Sequence, residues 1–472
     1  MTTRRETVLG LLGAGVAAGV PAGAAFAAGT ARAGHAPVRP ARLYRPPAGG
    51  TTFVPLGEAR TLPMDYDYVE EEWFAGGTDD LGQPYVTALT VRRPRDKAKF
   101  SGVLVVEPQH MAGVAPIYMY SSRYILRSGH AWVCVTSQKT SLEAHQKKAD
   151  PARYASLQIA GTPGPMPAGL KRWEQLQRSE QASNAILAQV GAALRAGMGP
   201  LAGFAPRKMV MVGHSQTGFV STFYITTSHE THRLAGGAPV YDGYMPTGFP
   251  TAPFGPRDVP LIQVLSEGDI PLPRPPAVFP DFPNRAYRRP DSDAPNDRYR
   301  LYELAGFPHM GTRNPPNSDP RPWMTRNPGV IMPDSVMNSL PHNEMFNMAL
   351  DHLVQWVDKG KAPPRAERIA TDADGNFLKD EHGNSRGGLR CVELDVPHAR
   401  SIANPPNPDG SLLIGTFGFE VPFGPEKMKA LYGTPTNYVV KFNQRLAELI
   451  QQGWVLGADA TTMRDEALSQ SF

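Results

Sequence analysis

Three short runs, AWVCVTSQ at 131–138, MVMVGHS at 209–215 and PLIQVLSEGD at 260–269, are apolar at successive positions, so neither face of such a strand can meet water. Runs of this kind belong to strands buried between two layers. Further strand candidates are YVTALTVRRP, GVLVVEP, GAPVYDG and RYRLYELAG. Helical stretches separate them: Tyr118 to Ser128, Trp173 to Arg195, and Asn343 to Lys359, which Gly360 and Pro363-Pro364 stop. In the second, Leu176, Ile186, Leu187, Val190 and Leu194 recur at helical spacing. Alternation of strand and helix predicts an α/β fold with a mostly parallel central sheet and helices on both faces, its reactive groups at the carboxyl ends of the strands.

The 472 residues are 41% hydrophobic and 19% charged, enough for a large core. Forty-eight Lys+Arg against 44 Asp+Glu give a net charge of +4 without a basic, aromatic-laced run, which argues against a nucleic-acid partner. The start, MTTRRETVLGLLGAGVAAGVPAGAAFAAG, joins Arg4-Arg5 to an apolar run and a small-x-small site at Ala25-Phe26-Ala27. That pattern predicts an export signal over 1–27, of the twin-arginine type, with a periplasmic or extracellular destination. Glycine and Pro21 interrupt the run, so no stable membrane anchor is expected. Residues 28–50 read as a flexible lead-in, 51–365 as the catalytic core and 366–472 as an appended C-terminal subdomain. Cys134 reads as a small buried hydrophobe; pairing with Cys391 is left open.

VMVGHSQTGF nearly spells G-x-S-x-G, with the second glycine one residue late. A nucleophile elbow needs a strand, a sharp turn and a helix, with small residues flanking the serine. Met209 to Val212 supplies the strand, Gly213 the turn and Phe219 to Thr226 the helix; Thr217 replaces the second glycine. Ser215 is therefore the candidate nucleophile. A serine hydroxyl needs a histidine base oriented by a carboxylate. Downstream, PLIQVLSEGD runs into Glu267 and Asp269, and RYRLYELAGFPHMG delivers His309, in the order Ser, acid, His. Asp269 is preferred as the acid and Glu267 stays its rival. The oxyanion expects the backbone N–H of Gln216 and a second donor from Gln109, His110 or Met111; the His110 side chain could instead contact substrate or cap its loop.

Proline-rich segments at 271–296 and 312–341 are expected to shape the pocket, with Phe282, Tyr287 and Trp323 as apolar substrate contacts. HETH at 229–232 lacks zinc-site spacing and reads as a surface helix end, while DADGN at 372–376 reads as a hairpin turn rather than a calcium loop. No metal ligand set, dinucleotide fingerprint or P-loop occurs, so no cofactor is expected.

The ordered set YVEEEWFAGG, PYVTALTVRRPRDKAKFSGVLVVE, GHAWVCVTSQ, DPARYASL, GHSQTG, LSEGD, RYRLYELAGFPHMG, GNSRGGLR and VELDVP resembles the bacterial "alpha/beta hydrolase domain" family, many of whose members are exported. The resemblance runs from Thr51 to the C-terminus. In that family the elbow reads S-Q-S or S-Q-T with glycine or alanine at the third position after the serine, as Gly218 stands here. It implies an α/β-hydrolase fold with Ser215 as nucleophile, Glu267 or Asp269 as acid and His309 as base. Glu107-Pro108-Gln109-His110 departs from the family's E-W and asparagine at the oxyanion loop. The expected activity is an exported serine esterase acting on small-molecule or polymer esters. Alternatives are a lactonase or acyltransferase with the same triad, or a secreted binding protein on a hydrolase scaffold.

Overall fold

A ten-stranded sheet runs through the computed structural model, which describes residues 36–55, 65–161, 181–249, 254–270, 288–311, 336–403 and 417–472. Its strands are β1 (Arg42–Tyr44), β2 (Tyr68–Thr78), β3 (Pro84–Pro94), β4 (Val103–Pro108), β5 (Ala131–Val135), β6 (Lys208–His214), β7 (Gly243–Thr247), β8 (Leu261–Ser266), β9 (Ser292–Ala294) and β10 (Asp297–Leu304). The spatial order is β1-β2-β3-β5-β4-β6-β7-β8-β10-β9. From β5 to β10 all neighbours are parallel, while β1, β2, β3 and β9 add antiparallel edges. Central strands β4, β5 and β8 are buried at every residue, as their unbroken apolar runs require.

Four helices cover the sheet: α1 (Pro116–Arg127), α2 (Gln181–Arg195), α3 (Gln216–Thr227) and α4 (His342–Lys359). α1 packs against α4, and α2 against α3, one pair to each face. Pro116 sits at the start of α1, where its missing N–H costs nothing. The Glu107 carboxylate at the end of β4 accepts from the amides of Ile117 (2.7 Å) and Tyr118 (3.0 Å), satisfying two donors that the helix leaves open. α4 ends on Gly360 at φ 67°, a left-handed cap in the position read from the sequence. The chain moves outward from β4 to β5 and then returns to β6 on the other side of β4. Loops after β4 and β6 therefore face one another across a topological switch point, where open α/β sheets bind ligands.

Several expectations need correction. The lead-in through Gly50 contains β1, which pairs Arg42 with Gly76 at the sheet edge. GAPVYDG is not the strand: β7 starts at its last glycine and runs on through Pro246. Beyond the core, β11 (Val336–Met337), β12 (Ala399–Ile402) and β13 (Phe419–Pro422) form a second sheet in the order β11-β13-β12. It draws one strand from before residue 366, so this sheet straddles the expected subdomain boundary. Three more helices follow, α5 (Pro425–Tyr432), α6 (Pro435–Gln452) and α7 (Ala460–Leu468), and bury their own cluster around Tyr438, Phe442, Leu446 and Met463. Cys134 and Cys391 are buried and unpaired. Among the described residues no helix is long and apolar enough to cross a membrane; the expected signal at 1–27 lies outside them.

Candidate active site

β6 ends at His214 and α3 begins at Gln216, leaving Ser215 alone in the turn at φ 61°, ψ −123°. This is a conformation that L-residues rarely adopt, costing of order 1–3 kcal/mol, and it persists only where neighbours enforce it. Here they do. The Ser215 amide donates to Thr247 O (3.0 Å) on β7, and its carbonyl accepts from Phe219 N (2.9 Å). Thr217, which stands in place of the second glycine, stitches the turn: its hydroxyl accepts from His214 N (2.9 Å) and donates to His214 O (2.9 Å). Two glycines make the fit possible. A Cβ on Gly213 would lie 2.3 Å from Thr217 O, and one on Gly218 would lie 2.1 Å from Thr247 O.

At the end of β8 a single turn, Glu267–Asp269, carries both candidate acids, and they do different things. Asp269 Oδ1 hydrogen-bonds His309 Nδ1, with both side chains buried, while Oδ2 accepts from Ser266 N (2.7 Å). Glu267 turns away, accepting from Gly306 N (2.6 Å) and Lys379 Nζ (2.9 Å). The aspartate, not the glutamate, touches the imidazole. That bond fixes the proton on Nδ1 and leaves Nε2 of His309 as the basic nitrogen. Nε2 is buried and has no hydrogen-bond partner among the described residues.

Other imidazoles surround His309. His214 stacks on it with ring centroids 4.7 Å apart and donates Nε2–H to His309 O (3.0 Å). Its Nδ1 then accepts from the Thr247 hydroxyl (2.8 Å). His342 on α4 donates to Pro308 O (3.0 Å), and Tyr120 OH on α1 accepts from Gly311 N (3.2 Å). Burial holds His214 well below the usual histidine range and pulls His342 down to about 4. Both stay neutral at pH 7, so they clamp the base without placing a second cation beside it. Sequence reasoning missed these supports; His214 lay within the quoted motif, but nothing local marked His342 or Tyr120.

The oxyanion side is only partly as expected. Gln109 N donates to Val135 O (2.8 Å) at the end of β5 and His110 N to Val114 O (3.0 Å) within the loop, so both amides are already spent. Among the described residues Met111 N is engaged only by the Gln216 side-chain oxygen at 3.3 Å, a long contact that ties this loop to the residue after the serine. Gln216 N stands in the first turn of α3, among the donors that a helix leaves unpaired. The Gln109 side chain is a strut, bonded to Ser141 Oγ (2.7 Å), Thr136 Oγ1 (2.8 Å) and Gln146 Nε2 (2.7 Å). His110 is fully buried, its Nδ1 accepts from Ala112 N (3.0 Å) and its Nε2 has no partner among the described residues. Burial, with His309 and His145 nearby, brings it down to about 3. Phe282, Tyr287 and Trp323 lie outside the described residues.

HETH follows the end of α3 as read, with Thr231 exposed, but His229 departs from that reading: it is 1% exposed and bonded to Tyr244 OH (2.8 Å) and Asp258 Oδ1 (2.7 Å). His229, Glu230 and Asp258 bring ligand atoms within 4.8 Å of one another. Arg233 donates to Glu230 (2.8 Å) and Asp258 (2.8 Å), so a guanidinium already pairs with both carboxylates of the cluster. DADGN is a tight turn, closed by Asp372 Oδ1 on the amides of Asp374 and Asn376, both at 2.9 Å.

A mostly parallel sheet with a strained serine between strand and helix, and an Asp–His pair delivered by two later strand ends, defines the α/β-hydrolase fold. The chain belongs to that family: the model described as "Alpha/beta hydrolase domain" matches residues 43–465. Among solved structures it is similar to esterase Est22, at 10% identity over 44% of this chain and 67% of that one, with a TM-score of 0.27. An esterase from an Arctic intertidal metagenomic library matches at 11% identity over 42% and 72%, with a TM-score of 0.24. The rice cell wall degrading esterase LipA from Xanthomonas oryzae matches at 12% identity over 39% of this chain and 43% of that one, with a TM-score of 0.22. No curated protein matches.

Proposed function

We propose that this protein is a serine hydrolase that cleaves carboxylic esters through an acyl-enzyme. The observation that carries this is the division of His309: Nδ1 is committed to the buried Asp269, and Nε2 has no partner among the described residues, beside the turn that holds Ser215. Ser215 Oγ attacks the carbonyl while His309 Nε2 takes its proton. Asp269 keeps the reactive tautomer and stabilises the imidazolium that forms. The oxyanion of the tetrahedral intermediate takes hydrogen bonds from the amides of Gln216 and Met111, the second exchanging its long contact with the Gln216 side chain for a charged acceptor. His309 then protonates the leaving alcohol, and water, activated by the same Nε2, releases the acid and restores Ser215.

Labelling of the purified protein with a fluorophosphonate tests the reading. We expect stoichiometric labelling of the wild type and none of Ser215→Ala. An unlabelled wild type overturns it and favours a binding protein on this scaffold, and equal labelling of the variant overturns Ser215 as the nucleophile. The paired arginines and apolar run before residue 28 support export of the mature enzyme. N-terminal sequencing of protein from the medium or periplasm, expected to begin after Ala27, tests that.

A further inference from the structure

The acid turn and the histidine loop meet at three consecutive residues. Glu267 Oε2 accepts from Gly306 N (2.6 Å), Gly268 N donates to Phe307 O (2.9 Å), and Asp269 Oδ1 holds His309 Nδ1. The two segments touch without slack, since a Cβ on Gly268 would lie 2.7 Å from His309 N and 3.0 Å from Pro308 Cα. From the other side, Gly306 O accepts from Ser401 Oγ (2.5 Å) and Asn338 Nδ2 (3.3 Å). A shift at Gly306 therefore reaches the base three residues on.

Glu267 is 3% exposed, and a carboxylate that deep requires a counter-charge. Lys379 supplies it, with Nζ 2.9 Å from Oε1 and 2.7 Å from Ser385 Oγ. The lysine sits between two turns of one design. Asp372 closes the first, and Asp380 closes the second through the amides of His382 (3.0 Å) and Asn384 (2.9 Å). Asn384 then docks this hairpin pair on β12, accepting from Ser401 N (2.7 Å) and donating to Ala399 O (3.2 Å). The segment after residue 366 is thus built to present one ammonium group to the acid turn.

We propose that Glu267 is a positioning residue for the His309 loop and that Lys379 sets the charge under which His309 works, so that the C-terminal segment is part of the catalytic apparatus. This rests on reading Ser215, His309 and Asp269 as the triad. Among the described residues the ionisable groups around His309 are Asp269 and Glu267 on the acid turn, Lys379 from the C-terminal segment, His110 after β4, His214 at the end of β6, His342 on α4 and Tyr120 on α1. Burial keeps the three histidines neutral and pushes the tyrosine far above its usual range, so none of the four carries charge near pH 7. Two carboxylates and one ammonium remain, a net of one negative charge. Removing the ammonium adds a negative charge that favours the imidazolium; removing the Glu267 charge while keeping Lys379 does the opposite.

The test is the pH dependence of kcat/KM for p-nitrophenyl acetate with the full chain. Lys379→Met is expected to move the acid limb up by about half a pH unit or more. Glu267→Gln, whose amide oxygen can still accept from Gly306 N, moves it down. The double variant returns the limb toward the wild-type position while kcat stays reduced, because the Gly306 anchor is weakened. Lys379→Arg restores the limb. Limbs unmoved in both single variants, or moved in the same direction, overturn the proposal. Lys379→Met leaves the buried Glu267 without its counter-charge, so melting temperatures accompany the pH profiles, and where that variant does not fold, Glu267→Gln with Lys379 kept decides the direction. Fluorophosphonate labelling of each variant separates the two readings: unlabelled wild type removes the triad, whereas full labelling with unmoved limbs removes only the role of Glu267 and Lys379.

Discussion

The hydroxyl of Thr217 lies 2.9 Å from both the amide nitrogen and the carbonyl oxygen of His214, so one side chain closes the elbow across Ser215. Thr217→Gly would make the motif a regular G-x-S-x-G, yet it leaves the buried His214 amide unpaired, at a cost of about 1–3 kcal/mol. We expect a lower melting temperature and reduced kcat for Thr217→Gly and Thr217→Val, with Thr217→Ser close to wild type. Equal melting temperatures for Val and Thr forms in calorimetry would contradict the role assigned to the hydroxyl.

Gly218 carries the close approach that the second glycine of the motif usually provides. In an open helix Gly→Ala gains about 1 kcal/mol. Here the added carbon would sit 2.1 Å from Thr247 O, the atom that accepts from Ser215 N, and would force β7 away from the elbow. Gly218→Ala is therefore expected to lower the melting temperature and abolish labelling of Ser215. A stabilised, fully labelled variant is the contrary result.

Asp269 and Glu267 separate by kinetics. Asp269→Asn leaves the His309 Nδ1 contact in place but allows the wrong tautomer, and kcat is expected to fall by about 10³-fold or more. Glu267→Gln, which keeps an acceptor for Gly306 N, should cost far less. The reverse ranking in steady-state assays of folded variants would reassign the acid.

Stability should fall on mild acidification. Burial brings His110 down to about 3 and His130, His342 and His352 to about 4, against about 6.5 in an unfolded chain. As pH falls below 6.5 the unfolded chain binds protons that the folded one refuses, at up to about 1.4 kcal/mol per pH unit for each group. Glu107 opposes this, since burial pushes it up to about 7 against the pull of its amide donors and Arg92, so its contribution to stability rises as pH falls from 7 toward 4.5. Burial also raises Glu303 and Glu420 and lowers His214 and His229, so six imidazoles stand against three carboxyls and the decline prevails. Urea midpoints measured from pH 7 to pH 4.5 should decline steadily; a flat or rising series would mean that these histidines are not neutral in the folded state.

Local pattern made much of the fold legible. Unbroken apolar runs marked β4, β5, β6 and β8, and helical spacing with a glycine stop marked α4. Where local chemistry conflicts with tertiary context, reading failed. Pro246 argues against a strand, yet it sits in β7 opposite Gly213, downstream of the run GAPVYDG that reads as one. Tyr68–Thr78 carries Glu70, Glu71 and Glu72 and does not read as a strand until Arg92, Arg93 and Arg153 are seen to pair with them. Arg42–Tyr44 is a strand only because the edge of β2 is there to receive it.

The sequence by itself determined the central strands β4, β5, β6 and β8, the helix α4, the elbow at Ser215 and the order in which serine, acids and histidine arrive, because each depends on residues a few positions apart. Only the tertiary structure decided which carboxylate meets His309, which amides near Met111 are already spent, and which imidazoles and lysine surround the base. Those outcomes depend on distances between segments that are far apart in the chain, from 40 residues for Asp269 and His309 to 112 for Glu267 and Lys379. No local pattern encodes such a distance; the packing of the sheet, its helices and the C-terminal segment sets it.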